Sequence, residues 1–259
     1  MAYEQMLAPV LEKQALAKNI YRMVLQCRSI AQKAEPGQFV HLLPTGCTLR
    51  RPISICEINK SAGTLTIVFE VKGSGTDALA NVRVGENLDI LGPLGRGFTI
   101  LPDAKHVVVV GGGIGNPPML SLAQVYGARA TAICGFRSAN IVTLQDAFHA
   151  SGAETILCTD DGTAGRQDLV TEPLKEQLAK GDVDMVYACG PRPMLKFVAA
   201  AAKEYGVRCE VSMEERMACG IGACLACVCQ SKEKDEHSQV HNKRVCKDGP
   251  VFLSTEVEL

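Results

Sequence analysis

Residues 107–120 read VVVVGGGIGNPPML. Four valines in a row leave no polar face, so a strand built from them must be covered on both sides, as inner strands of parallel sheets are. Gly111, Gly112, Gly113 and Gly115 follow at once, and Pro117 and Pro118 suit a first helical turn, where a missing N–H costs little. Strand, glycine turn and helix N-terminus in that order turn backbone N–H groups toward an anion such as a pyrophosphate. The spacing departs from G-x-G-x-x-G, so a turn that merely packs strand against helix stays open as the alternative.

Downstream the same rhythm repeats. RATAICGF (129–136), ETILCTDD (154–161) and DMVYACG (184–190) read as strands, while PPMLSLAQVYG (117–127), IVTLQDAFHA (141–150), LVTEPLKEQLAKG (169–181) and RPMLKFVAAAAKEYG (192–206) read as helices. Strands alternating with helices predict a doubly wound parallel-sheet α/β domain over 102–208. Upstream the rhythm differs. YRMVLQCRSI (21–30), GQFVHLLP (37–44), RPISICEIN (51–59), TLTIVFEVKG (64–73) and NLDILGPLG (87–95) are short apolar runs broken by Gly, Pro and Asn. They predict a small antiparallel β-barrel over 1–101, giving a β + α/β fold class with GPLGRGFTILPDAKH (92–106) as the boundary.

Residues 209–259 are too few and too polar for a good core of their own, and CGIGACLACVC (219–229) suggests what replaces one. Cys219, Cys224 and Cys227 follow C-x4-C-x2-C, with Cys246 further on, the spacing of plant-type [2Fe–2S] centres. Gly220 and Gly222 let the backbone approach a cluster closely, and Ala223 and Ala226 avoid crowding it. Zinc is the alternative, since His237 and His241 have a zinc-like spacing, although x4 between the first thiols suits it poorly. Cys246 is expected as fourth ligand. Cys229, next but one to Cys227, and Cys209 are expected to pack as small apolar residues, as are Cys27, Cys47, Cys56, Cys134, Cys158 and Cys189.

Bulk properties narrow the function classes. The chain has 259 residues, 47% of them hydrophobic, with 27 basic against 28 acidic side chains. A net charge of −1 and no Trp give no case for nucleic acid or an anionic membrane surface. No apolar run reaches the ~20 residues of a membrane span, and MAYEQMLAPVLEKQ lacks the plan of a signal peptide. Twelve cysteines without such a signal are expected to be reduced thiols in a cytoplasmic protein.

Two stretches of the barrel suit a flavin. Arg51 can pair with a phosphate, Ser54 can bond the polar edge of an isoalloxazine, and Pro52 stiffens the turn between them. Lys72-Gly73-Ser74-Gly75-Thr76 has the makings of a second phosphate cradle, and for either stretch alone a plain surface turn stays open as the alternative. At the end of the second α/β strand stands Arg137 rather than a carboxylate, which leaves NAD and NADP both open.

Taken in order, RPIS (51–54), KGSGT (72–76), GGGIGNPPM (111–119) and CGPRPM (189–194) resemble the ferredoxin–NADP reductase superfamily. With CGIGACLACVC and VCKDGPVF (245–252), the whole chain resembles the family of electron transfer subunits of type B dihydroorotate dehydrogenases. The resemblance implies FAD on Arg51, Pro52, Ile53, Ser54, Val68, Phe69, Glu70, Gly75 and Thr76. It implies NAD(H) on Gly111, Gly112, Gly113, Gly115, Cys189 and Gly190, and a [2Fe–2S] cluster on Cys219, Cys224, Cys227 and Cys246. It also implies a heterotetramer of two such subunits with two FMN-containing dihydroorotate dehydrogenase catalytic subunits. Electrons would run from FMN through cluster and FAD to NAD+, with no catalytic acid or base in this chain. A free-standing or differently partnered FAD/[2Fe–2S] NAD(P)H oxidoreductase is the alternative function, and a zinc-holding nucleotide-binding regulator is a third.

Overall fold

The computed structural model describes residues 3–234 and 239–259. The first part is a closed six-stranded antiparallel barrel in the order β1-β2-β5-β4-β3-β6. Its strands are β1 (Glu4–Ala17), β2 (Ile20–Gln26), β3 (Phe39–Leu43), β4 (Arg51–Asn59), β5 (Thr64–Glu70) and β6 (Asn87–Leu94). Two short helices, α1 (Arg28–Lys33) and α2 (Ser74–Asn81), join them. Val40, Leu42, Ile55, Ile67, Phe69 and Ile90 fill the interior. The period of two therefore turns Phe39 and His41 of β3 out of the barrel.

Two N-terminal readings change. The segment read only for a leader forms β1, the longest strand described, and CRSI opens a helix instead of ending a strand. β1 serves two neighbours, β2 and β6, and shifts register between Val10 and Glu12.

The second part is a six-stranded sheet in the order β14-β11-β10-β7-β8-β9. β7 (Val107–Gly112), β8 (Ala130–Phe136), β9 (Glu154–Thr159), β10 (Met185–Cys189) and β11 (Cys209–Ser212) are parallel, and β14 (Val251–Leu253) closes one edge antiparallel. The four valines divide by face. Val107 and Val109 meet α3 (Asn116–Tyr126) and α4 (Gln145–Ala150), while Val108 and Val110 meet α5 (Thr171–Leu178) and α6 (Arg192–Glu204). Helices on both faces make the sheet doubly wound, as the apolar run requires.

Two pieces of the C-terminal segment, β11 and β14, are thus built into this sheet. The rest of it forms a lobe around the two-stranded sheet of β12 (Val228–Gln230) and β13 (Asn242–Arg244). Its Cys227, Cys229, Val245, Cys246 and Val257 are buried in one core with Val110, Leu195, Val198 and the barrel residue Phe39.

A polar chain ties barrel to sheet. The Tyr126 hydroxyl meets that of Tyr187 at 2.8 Å, and Tyr187 donates to the Thr99 carbonyl at 2.6 Å. The buried carboxylate of Glu210 accepts the Thr99 N–H at 2.9 Å and its hydroxyl at 2.7 Å. Among the described residues no helix is long and apolar enough to cross a membrane.

Candidate functional site

The turn 219–227 is held by its own amides. The N–H groups of Ile221 (3.5 Å) and Ala223 (3.3 Å) donate to Cys219 Sγ, that of Gly222 to Cys246 Sγ (3.1 Å), and that of Cys246 to Cys227 Sγ (3.4 Å). Gly220 (φ +73°) and Gly222 (φ +86°) lie in the left-handed region that permits this path. The thiols stand in two contacting pairs, Cys219 with Cys224 and Cys227 with Cys246. Burial pushes the Cys219 thiol up, but the Ile221 N–H, the Cys224 backbone and thiol and the Ala223 N–H together bring it down to about 7. The Cys246 thiol lowers Cys227 to about 6 and is itself raised by Cys227. Thiolates favoured by amide N–H groups are what a metal centre needs. Two pairs suit two irons, each taking two thiolates.

Cys229 lies apart from this set. It is buried, and burial raises its thiol to about 11, the behaviour of a packed side chain.

On the barrel, Arg50 and Arg51 differ sharply. Arg50 is tied to both oxygens of Asp89, at 3.0 and 2.9 Å. Among the described residues Arg51 donates to the carbonyls of Leu49 (2.7 Å) and Arg50 (3.3 Å) and pairs with no carboxylate. Its guanidinium lies directly over Gly75, the second residue of α2, where any Cβ would overlap it. The Thr76 hydroxyl is used locally, accepting the N–H of Lys72 (2.9 Å) and Gly73 (3.2 Å) to shape the start of that helix. Pro52 and Ser54 lie opposite His41 and Phe39 on β3, and Ile53 packs toward the barrel core. On β5, Val68 faces the α/β domain and Glu70 pairs with Lys72 at 3.4 Å, but the Phe69 ring is inside the barrel, stacked on Tyr21. Only the Phe69 backbone is on offer to a ligand.

The glycine turn stands at the C-terminal ends of the parallel strands, where α/β sheets bind ligands. Gly111 is level with Cys134 of β8 and Cys189 of β10. A Cβ at Gly111 would overlap Asn116, at Gly112 Met194, and at Gly115 the Cys189 backbone, while Gly190 is closed by Met194. Packing alone thus demands most of these glycines. Gly113 (φ +54°) differs, with open space where its Cβ would be. The short turn Gly113–Gly115 touches β5, which brings the glycine turn against the barrel.

Sequence reasoning missed His41. It is fully buried, and among the described residues neither ring nitrogen makes a well-formed hydrogen bond. Its Nδ1 fills the space where a Cβ at Gly220 would go. Burial, with Arg50 beside the ring, holds it down to about 4, so the imidazole is neutral. Nothing in GQFVHLLP marks it, because its role depends on a contact with a residue 179 positions away (220 − 41).

A family model for the iron–sulfur cluster binding domain of dihydroorotate dehydrogenase B matches residues 214–258. The electron transfer subunit of dihydroorotate dehydrogenase B (NAD(+)) from Fusobacterium nucleatum is 41% identical over 258 residues, covering 96% of both chains. That of Bacillus cereus strain G9842 is 41% identical over 259 residues, covering 96% of this chain and 97% of its own. The chain belongs to this family.

For a dihydroorotate dehydrogenase B electron transfer subunit, the barrel, sheet and lobe also have a solved counterpart. A chain of the NADH-dependent reduced ferredoxin–NADP oxidoreductase, from a study of flavin-based electron bifurcation, superposes with a TM-score of 0.86. It is 27% identical and is matched over 98% of this chain and 90% of its own. A cytochrome P450 reductase from Amycolatopsis shares the fold at 22% identity and a TM-score of 0.65, covering 78% of this chain and 66% of its own. The matching family model is an iron–sulfur one, which the zinc alternative does not fit. His241 sets its Nδ1 3.0 Å from the Lys232 carbonyl, and His237 lies outside the described residues. Arg137 is exposed just beyond β8, with its carbonyl accepting the Asp161 N–H at 3.2 Å.

Proposed function

We propose that this chain is the electron transfer subunit of an NAD-dependent dihydroorotate dehydrogenase in pyrimidine biosynthesis. In this reading it passes electrons from a partner FMN subunit through a [2Fe–2S] cluster and FAD to NAD+. The observation that carries the reading is the pairing of four thiols, under aimed amide N–H groups, on a lobe packed against β3, the neighbour of the strand that bears RPIS. Family membership supplies the substrate and the pathway.

The tasks divide along the chain. Residues 1–101 form the FAD domain, with Arg51 holding a phosphate over Gly75 and Pro52, Ile53, Ser54, Val68, Glu70, Thr76 and the Phe69 backbone lining the flavin. Residues 102–208 form the NAD domain, completed by β11 and β14, with Gly111, Gly112, Gly113 and Gly115 facing the nucleotide beside Cys189 and Gly190. Within 209–259, Cys219, Cys224, Cys227 and Cys246 hold the cluster. Bound flavin exchanges electrons singly with an iron–sulfur centre and in pairs with a nicotinamide, so the protein's work is placement and tuning. Burial raises the Cys189 thiol to about 12, which keeps it neutral and suits a positioning contact rather than a nucleophile. No side chain here is assigned as catalytic acid or base.

The partner is an FMN-containing catalytic subunit, two of each forming a heterotetramer in the cytoplasm. The test is to purify the chain with that subunit and assay dihydroorotate-dependent reduction of NAD+. Activity that needs both chains supports the proposal, and its absence from a flavin- and iron-replete complex contradicts it. A second reading, a differently partnered FAD/[2Fe–2S] NAD(P)H oxidoreductase subunit, is favoured by the likeness to the bifurcating oxidoreductase chain. It predicts reduction of FAD by NAD(P)H with no response to dihydroorotate.

A further inference from the structure

Burying an imidazole is unfavourable unless its nitrogens find polar partners. Among the described residues neither nitrogen of His41 makes a well-formed hydrogen bond, and the backbones of Arg50 and Cys219 are the polar groups within its reach. It stands on the outer face of β3, directly across from Pro52 of β4. Its backbone carbonyl accepts Arg50 Nη1 at 3.1 Å, which fixes the strand beneath it. Above it lies the cluster turn. The ring occupies the space that a side chain at residue 220 would need, and the backbone of Cys219 lies beside it. His41 is therefore wedged between the strand pair carrying the flavin residues and the peptide that follows the first thiol ligand. The next three N–H groups of that turn, from Ile221, Gly222 and Ala223, are the ones aimed at sulfur.

We propose that His41 is a positioning residue for the two-iron centre: its ring floors the turn under Gly220 and bonds the Cys219 backbone, which holds the following N–H groups in line with the thiolates. This rests on the assignment of the cluster to Cys219, Cys224, Cys227 and Cys246. Hydrogen bonds to cluster sulfur stabilise the reduced, more negative state and so raise the potential. A turn released by loss of His41 aims its amides less well, and the cluster becomes harder to reduce. Because His41 also abuts Pro52, it couples the cluster turn mechanically to the flavin strand.

The experiment uses the full chain, isolated anaerobically, as parent, His41→Leu and His41→Asn. Asn places an amide near the position of Nδ1. Iron and FAD per chain are measured first, then the cluster midpoint potential and EPR spectrum by redox titration. The inference expects His41→Leu to bind FAD like the parent but to show a lower cluster potential and altered g values, with His41→Asn returning toward the parent. An iron-replete His41→Leu chain with parental potential and spectrum overturns it. If His41→Leu loses its iron, His41→Asn decides. Retained iron with near-parental potential supports the inference, whereas loss in both variants assigns His41 to packing alone and overturns it. A parent chain without iron overturns the cluster assignment and this inference with it.

Discussion

At the scale of single residues, the cluster turn shows how narrowly its sequence is constrained. Gly220 has φ +73° and no space for a Cβ on the side of His41. Gly220→Ala combines left-handed strain of ~1–2 kcal/mol with an overlap that neither ring nor turn relieves easily. The variant is expected to melt lower than the parent and to lose most of its iron, measured by thermal denaturation and metal analysis. The two cysteines near the turn's end separate cleanly. Cys246→Ser removes a thiol paired with Cys227 and is expected to lose cluster iron, whereas Cys229→Ala, at a buried packing position, keeps it. Equal iron in both variants would refute the fourth-ligand assignment. The thiol pattern was legible because ligand spacing is local: C-x4-C-x2-C survives in the sequence whatever surrounds it. His41 was illegible for the opposite reason, since a lone polar residue in an apolar strand says nothing until its neighbour across the fold is known.

The strands and helices divide along the same line between local and distant determinants. β7 was plain from its valines because burial on both faces leaves a continuous apolar run. β1 was not, because only Ala8 and Val10 of its 14 residues are buried, Pro9 interrupts it, and it bends between two partners. β11 and β14 are four and three residues long and take their identity from pairing, Val211 opposite Phe252, which no periodicity announces. α2 is the element on which the proposed flavin site is most directly tested. Gly75→Val displaces the Arg51 guanidinium from its seat, and FAD affinity is expected to fall at least tenfold while iron stays bound, read by flavin fluorescence titration and iron content. β11 carries the tie to the barrel. Glu210→Ala leaves the Thr99 N–H and hydroxyl without an acceptor in a buried place, so a loss of about 1–3 kcal/mol is expected in denaturant unfolding. An unchanged midpoint would mean that the Tyr126–Tyr187–Thr99 chain alone holds the domains.

Over the whole molecule, barrel, sheet and lobe meet where the candidate groups would lie. The lobe shares a core with the sheet, the glycine turn touches β5, and His41 joins β3 to the cluster turn. The cluster turn also carries exposed apolar residues. Cys224 is exposed, and Ile221 and Leu225 flank it with 37% and 56% of their surface in solvent. Exposed apolar residues beside a redox centre suit a dry contact with the partner subunit. Ile221→Asp is expected to abolish assembly in gel filtration while FAD remains bound, and an unshifted complex peak would contradict this. Barrel and α/β sheet were legible because composition and rhythm change between them; that β11 and β14 join the sheet, and how the parts dock, was not, since both depend on distant contacts such as Thr99 with Glu210, 111 residues apart. The most direct test of the account is metal analysis with EPR on the anaerobically purified, dithionite-reduced chain. It predicts two irons per chain and the rhombic signal of a reduced [2Fe–2S] centre; one zinc per chain, or no metal and no signal, would contradict it.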